Sequence, residues 1–296
     1  MPSARRRRSF IRTAKDTPQW FHRVTRFSGK VVLYLLVLAV GVIMILPFYW
    51  MVVTALSPIQ DITAFPPKWI PSHLTPEHFQ EAFHKAPFLL YYRNSLAVAI
   101  ISVGCSVLFG LFAGYAFSVY RFPLQNFFFI LILSTIMIPF QVTCVALYVL
   151  LAKMKWVDTL WGILAPNFAS ALGVFLIRQS IQTVPTALID AARIDGASEI
   201  RIVLTVVAPL IKTTLATVSM ILFLNSWNDF LWPVIAINSV NLRTIPVGIA
   251  LFKDPYHIEY GPLMAATVIS TGPMLIAYFI SQKYVIKGIA LSGLKG

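Results

Sequence analysis

Two short stretches carry side chains able to do chemistry, and in both that chemistry is binding rather than bond making. The first reads Val184-Pro185-Thr186-Ala187-Leu188-Ile189-Asp190-Ala191-Ala192-Arg193-Ile194-Asp195-Gly196-Ala197-Ser198-Glu199. Pro185 sits at a helix N-terminus, Leu188, Ala191 and Ala192 share one face at i, i+3, i+4, and Gly196 ends the helix in the left-handed conformation. Ser198 then caps a second helix running toward Pro209. Small alanines leave a shallow face that a partner can approach closely. The second stretch, Asn225, Trp227, Asn228 and Asp229, combines amides, a carboxylate and an aromatic ring, the groups that bind sugars. Polar and ionisable residues beside a membrane span mark a functional site, here a translocation pathway or gate. An interfacial cap with an aromatic belt residue is the plainer reading of Trp227 and Trp232.

Other constellations are missing. No Ser/His/Asp or Cys/His set lies on one side of the membrane, so no catalytic residue is assigned. The five histidines (His22, His73, His78, His84 and His257) have no metal-ligand spacing, and Cys105 and Cys144 fall inside apolar runs as packed thiols. There is no G-x-x-x-x-G-K-[ST] phosphate loop. Any hydrolysis of ATP must therefore occur in another chain, and no cofactor is expected in this one.

The elements that hold these stretches are apolar. The chain has 296 residues, 58% hydrophobic and 12% charged, where a soluble domain carries about 25% charged residues. A membrane helix needs roughly 20 apolar residues, and six segments qualify: Val31–Leu56, Ser95–Val119, Phe127–Leu151, Leu160–Ile181, Val203–Phe223 and Pro262–Ser281. Pro47, Pro139, Pro166, Pro209 and Pro273 lie in or near them and kink rather than abolish a helix in lipid. The expected fold is an all-α integral membrane protein of six spans. Its parts are a basic segment (1–30), a six-helix domain (31–283) with an inner loop at about 182–202, and a tail (284–296). Arg7-Arg8 loosely matches an export signal, but the run beginning at Val31 is too long and lacks an A-x-A site, so a retained first span is expected.

The net charge is +13. With the N-terminus inside, 17 of the 24 basic and 4 of the 11 acidic residues fall on inner segments. The whole excess then lies on one face, with both termini cytoplasmic. Nucleic acid is not needed as a partner, and the Arg5–Arg8 cluster lies on anionic lipid head groups. The first outer loop, Ser57 to about Asn94, is expected to hold a short helix near Pro76–Lys85. An ion-driven secondary transporter would carry buried acids near the midplane of its helices, and the six spans contain essentially none.

The inner loop resembles the "EAA" loop of binding-protein-dependent ABC permeases: Asp190-Ala191-Ala192, Gly196, Val206 and Pro209 fall at the spacings of E-A-A-x-x-x-G and the following I-x-L-P. Asp190 replaces the usual Glu and Ala208 the usual Leu. Arg121-Phe122-Pro123, Asp158-Thr159-Leu160-Trp161-Gly162, Ser226 to Pro233, Thr244 to Gly248 and the ending Gly293 to Gly296 resemble the carbohydrate branch, most closely the smaller permease subunit of maltose-type importers. The resemblance implies a type I importer fold in the bacterial inner membrane, with a coupling helix in which Leu188, Asp190, Ala191, Ala192, Asp195, Gly196 and Ala197 meet the ATPase. It also implies a second permease subunit, two ATPase subunits holding ATP and Mg, an extracytoplasmic solute-binding protein, and a sugar or oligosaccharide substrate. Lys287, Lys295 and Gly296 would reach between the ATPases.

Overall fold

The structure is a computed structural model that describes residues 19–253 and 258–293, with side chains for 30–253 and 258–283. These residues form two units divided between Met51 and Val52.

The first unit holds most of helix α1 (Gln19–Leu56). Its Lys30–Leu56 part is 27 residues long with mean hydropathy 2.9, and its side chains from Val31 to Phe48 are nearly all exposed and apolar. A helix apolar on every side belongs in lipid rather than in water.

The second unit begins with a buried turn and a surface helix, α2 (Glu77–Lys85), where the Glu77 N–H donates to Thr75 Oγ1 at 3.2 Å. Helix α3 (Phe88–Val119) is the central strut. It starts seven residues before the expected Ser95, because Pro87 rather than the polar pair Arg93-Asn94 sets its first turn. Asn94 is satisfied within the protein, donating through Nδ2 to the carbonyls of Asn241 and Arg243.

Two expected spans are broken. Helix α4 (Gln125–Ser134) and helix α5 (Phe140–Lys153) meet at 103° across Thr135–Pro139. Pro139 offers no N–H, and Ile138 before it is extended (φ −90°, ψ 115°). Helices α6 (Leu160–Leu164) and α7 (Ala171–Ile181) follow, separated by a tight turn at Ala165–Asn167 and an irregular segment to Ser170. Helix α8 (Thr186–Ile194) and helix α9 (Glu199–Ile202) form the inner loop. The chain then widens into a π-helical turn at Val203–Val207 just before Pro209, which accommodates the clash a proline ring makes with the preceding turn. Helix α10 (Lys212–Trp227) leaves that segment at 87°. Short helices α11 (Leu231–Ala236) and α12 (Ile245–Ile249) precede the last helix, α13 (Tyr260–Gly293). Among the described residues, four helical stretches are long and apolar enough to cross a membrane, Leu160–Ile181 counted as one, and six are reached when each bent pair counts as one.

The two ends of α3 sit in different cores. At one end Phe88 and Tyr91 pack with Ala82, Ile245, Phe252 and Leu263. At the other, Leu111 and Tyr115 pack with Ile177, Ile181, Ile189, Ile202, Val207 and Val218. The described parts of the segments 57–87 and 228–253 therefore lie at one end of the bundle and the α8–α9 loop at the other, the alternation that six crossings require. A third core, around Ile163, Trp232 and Ala236, ties α6 to α11.

Candidate functional site

A cavity of about 440 Å³ opens in the second unit, beside Ser102 and Ser106 near the middle of the 32-residue α3. Breaks in the backbone supply much of the rest of its wall. Phe140 and Gln141 come from the α4–α5 elbow, and Pro166, Asn167, Ala169 and Ser170 from the α6–α7 break. Leu222, Asn225 and Ser226 come from the end of α10, and Asp229, Leu231 and Trp232 from the turn into α11. At membrane depth, irregular backbone is tolerated where it lines a cavity or is buried in protein, so the three breaks and the cavity explain one another.

The wall mixes apolar and polar side chains and is neutral apart from one carboxylate. Ser106 Oγ donates to the Asn167 carbonyl at 3.1 Å, and Ser170 Oγ accepts from the Gly173 N–H at 3.2 Å. Asp229 Oδ1 accepts from the Trp232 N–H at 3.3 Å. Ser102 Oγ and Ser226 Oγ are buried and find no partner in the chain. Unsatisfied buried hydroxyls are uncommon and costly, and these two belong to residues of the cavity wall, with oxygens closed to solvent in this arrangement. Trp232 is fixed by its Nε1–H, which donates to the Gly162 carbonyl at 2.9 Å, and by Phe140 packed edge-on at 5.8 Å.

The motif around Asp158 builds this wall from behind, and the one around Thr244 packs on the first turns of α3. A side chain at Gly162 would place its Cβ 2.4 Å from the Trp156 carbonyl oxygen. Thr159 Oγ1 caps α6 by accepting from Gly162 N. Asp158 accepts from the backbone N–H groups of Asn238 (3.0 Å) and Ser239 (2.8 Å), and the Ser239 hydroxyl together with these amides holds its carboxyl below the usual carboxylate range. The Ile245 N–H donates to Ser95 Oγ at 2.8 Å.

Of the four residues expected at the pathway, Asn225 and Asp229 line the cavity. Trp227 does not. It is 1% exposed, its Nε1–H donates to the Ser270 carbonyl at 3.1 Å, and its ring stacks on Phe223 at 5.7 Å. Two residues beyond Asn225 on a helix, its side chain points to nearly the opposite side, where it packs α10 against α13. Asn228 donates back to the Leu224 carbonyl at 2.8 Å. Ser102, Ser106, Gln141, Asn167, Ser170 and Ser226 were not singled out from sequence, although polar residues inside apolar runs were the signal.

At the other end of the bundle, Gly196 has φ +79° with nothing within 4 Å of a built Cβ, and the Ala197 N–H closes α8 by donating to the Ala192 carbonyl at 3.0 Å. Ser198 Oγ accepts from the Arg201 N–H. Helix α8 is fastened by one buried side chain, Ile189, among Ile177, Ile181 and Ile202, and by a polar clamp. Arg193 Nε donates to Glu199 Oε1 at 2.7 Å, its Nη1 to Asp190 Oδ1 at 3.3 Å, and the Tyr115 hydroxyl donates to Glu199 Oε2 at 2.6 Å. Ala192 and Ala197 are half-buried beneath the helix. Leu188, Asp190, Ala191 and Asp195 face outward, and Ile194, 87% exposed, joins them with Ile200 at 63%. The sequence reading passed over Ile194 and Ile200, though Ile194 shares the Asp190–Ala191 face at i+4 and i+3. Lys287 belongs to α13, but its side chain, like Lys295 and Gly296, lies outside the described residues. Among the described residues no group of three or more His, Cys, Asp or Glu side chains could hold a metal ion.

Comparison with known proteins agrees with this geometry. The chain is 37% identical over 227 residues to the arabinooligosaccharides transport system permease protein AraQ of Halalkalibacterium halodurans, covering 76% of this chain and 81% of that one. It is 34% identical to the sn-glycerol-3-phosphate transport system permease protein UgpE of Pectobacterium atrosepticum (85% and 93%) and 29% identical to the lactose transport system permease protein LacG of Rhizobium radiobacter (83% and 89%). Its fold matches a chain of a bacterial ABC transporter involved in the import of the acidic polysaccharide alginate, with a TM-score of 0.78 at 20% identity over 89% of this chain and 98% of that one. Residues 106–291, from the cavity serine Ser106 through the loop and into the last helix, match the family described as binding-protein-dependent transport system inner membrane component, and the chain belongs to that family.

Proposed function

We propose that this chain is one permease subunit of an ATP-driven importer for a sugar or oligosaccharide, that its cavity forms half of the translocation pathway, and that α8 docks on an ATPase subunit. The observation that carries this reading is the cavity itself: a chamber halfway along α3, walled by three backbone breaks and carrying amides, a carboxylate and two serines whose hydroxyls have no partner in the chain. Solute sites in transporters with broken helices sit at that depth. AraQ and LacG, both similar to this chain, carry oligosaccharide and lactose in their names.

In this reading a second permease closes the chamber, a solute-binding protein docks at the α2 end, and two ATPases holding ATP and Mg sit beneath α8 on the cytoplasmic side, together with both termini. The ATPases supply the energy because the sequence contains no phosphate loop of its own. ATP binding favours one arrangement of the ATPases, and the docked loop passes that preference on as a coupling free energy between two arrangements of the helices. Helix α10 links the two ends: the Ile211 turn before it lies in the core that holds Ile189, and its last turn carries Asn225 and Ser226. Uptake of a labelled neutral trisaccharide into proteoliposomes containing the whole assembly tests the proposal. It should require ATP on the α8 side and should be lost without the ATPase subunits; uptake driven by an ion gradient alone would refute it.

A further inference from the structure

We infer that the cavity selects neutral, hydroxyl-rich solutes against acidic ones and that Asp229 is the residue that sets this preference. The inference rests on the cavity being the sugar pathway and names the class of sugar that fits it.

Charge comes first. Among the described residues that line the chamber, Asp229 is the single ionisable one, and no Lys, Arg or His stands on the wall. An anionic solute entering from water gives up its hydration. In a half-buried site that loss is recovered through a cation or a set of donors aimed at the charge. This wall supplies no cation and holds a carboxylate. Two unit charges about 6 Å apart at an effective dielectric of about 20–40 repel strongly enough to shift affinity about tenfold or more.

Hydrogen bonding is the second, independent observation. Ser102, 3% exposed, and Ser226 belong to the wall and keep a hydroxyl committed to no partner in the chain. A hydroxyl both donates and accepts, so it pairs with another hydroxyl in either direction. Asn225 and Gln141 stand on the same wall with amide groups, and Asp229 uses one oxygen for the Trp232 N–H, leaving the other free to accept from a sugar hydroxyl. Phe140, held edge-on against the buried Trp232, adds an aromatic surface for the C–H face of a pyranose or furanose ring. Every one of these groups suits an uncharged polyol, and none suits a carboxylate or phosphate better.

The selectivity is the less obvious outcome. The fold is shared with a chain of an alginate importer, an acidic cargo, and UgpE is named for a glycerol phosphate.

The test is direct binding to the purified permease–ATPase assembly without its binding protein, so that the binding protein's own selectivity does not enter. The probes are a neutral trisaccharide, maltotriose, and trigalacturonate of the same length, followed by tryptophan fluorescence. Wild type should bind the neutral trisaccharide about tenfold or more tightly than trigalacturonate. Asp229→Asn, which keeps an oxygen for the Trp232 N–H, should narrow that ratio severalfold, and Asp229→Lys should invert it. Assembly measured by gel filtration shows that each variant is folded. Trigalacturonate binding wild type as tightly as the neutral sugar, or a ratio unmoved in both variants, overturns the inference while leaving a sugar pathway in place. Binding of neither sugar overturns the pathway reading and the inference with it.

Discussion

In the loop, every charged side chain of the clamp is engaged by another. Arg193 is shared between Asp190 and Glu199, and Glu199 is held again by Tyr115 from α3. In the cavity, Ser102 and Ser226 are buried with no partner at all. The loop also fixes itself with a glycine at φ +79°, whereas the cavity is made from the places where helices stop. On the proposed function the difference separates two tasks. A segment that transmits force must be stiff and internally satisfied, because a load on a loose loop is spent on rearranging it. A chamber that admits a solute must keep hydrogen-bonding capacity unspent, and it bears the free-energy cost of doing so.

The comparison is broken most severely at Gly196. Gly196→Val meets no neighbour, since nothing lies within 4 Å of its Cβ, so its whole effect is the backbone cost of placing a β-branched residue at positive φ, about 1–2 kcal/mol or more. The loop either re-aims α9 or loses its turn. Assembly should be largely retained while uptake per ATP hydrolysed falls by about tenfold or more; a wild-type ratio would remove the stiffness argument.

Asp190→Lys comes next. It removes one arm of the clamp and sets a like charge beside Arg193, so co-purification of the ATPase subunit should fall severalfold. Ile194→Asp should do the same by a different route, placing a charge on the exposed apolar face while leaving the clamp whole. A drop for Asp190→Lys alone would assign Asp190 to the clamp and leave the outward face without a docking role. Glu199→Gln should act more weakly. The pair with Arg193 is partly exposed, and such pairs contribute about 0–1 kcal/mol. Assembly should survive, with a severalfold rise in ATP consumed per solute moved.

The smallest effect on stability belongs to the cavity. Ser102→Ala removes a buried hydroxyl that satisfies nothing within the chain, so stability should stay within about 0.5 kcal/mol of wild type or rise. The apparent KM for uptake should increase about three- to tenfold. A clear loss of stability with an unchanged KM would show that Ser102 serves packing rather than solute.

The loop was legible in the sequence because its residues are contiguous. Pro185, Gly196 and Ser198 each have one local reason to be where they are, and the structure places all three accordingly. The apolar runs were legible for the same reason, since length and hydropathy are additive along a chain. The breaks at Ile138–Pro139 and Ile211 were not. A proline in a span can be absorbed as a kink or can end the helix, and neighbouring packing decides which. The cavity was legible only at Asn225 and Asp229, where polar residues cluster. Its other polar residues come from α3, α5, the α6–α7 break and the end of α10, and each serine alone in an apolar run looks like a tolerated small residue. Trp227 was drawn into the pathway by its neighbours in sequence, but helical phase turns it toward Ser270 and away from the chamber.

The central claim is that the loop and the cavity are two ends of one device. It is tested most directly by the rate at which a water-soluble maleimide alkylates Ser102→Cys in the complete assembly, with Cys105 and Cys144 replaced by Ala. Adding a non-hydrolysable ATP analogue should change that rate severalfold, and the same chain carrying Gly196→Val should show no change. A rate indifferent to nucleotide with Gly196 in place would contradict the account.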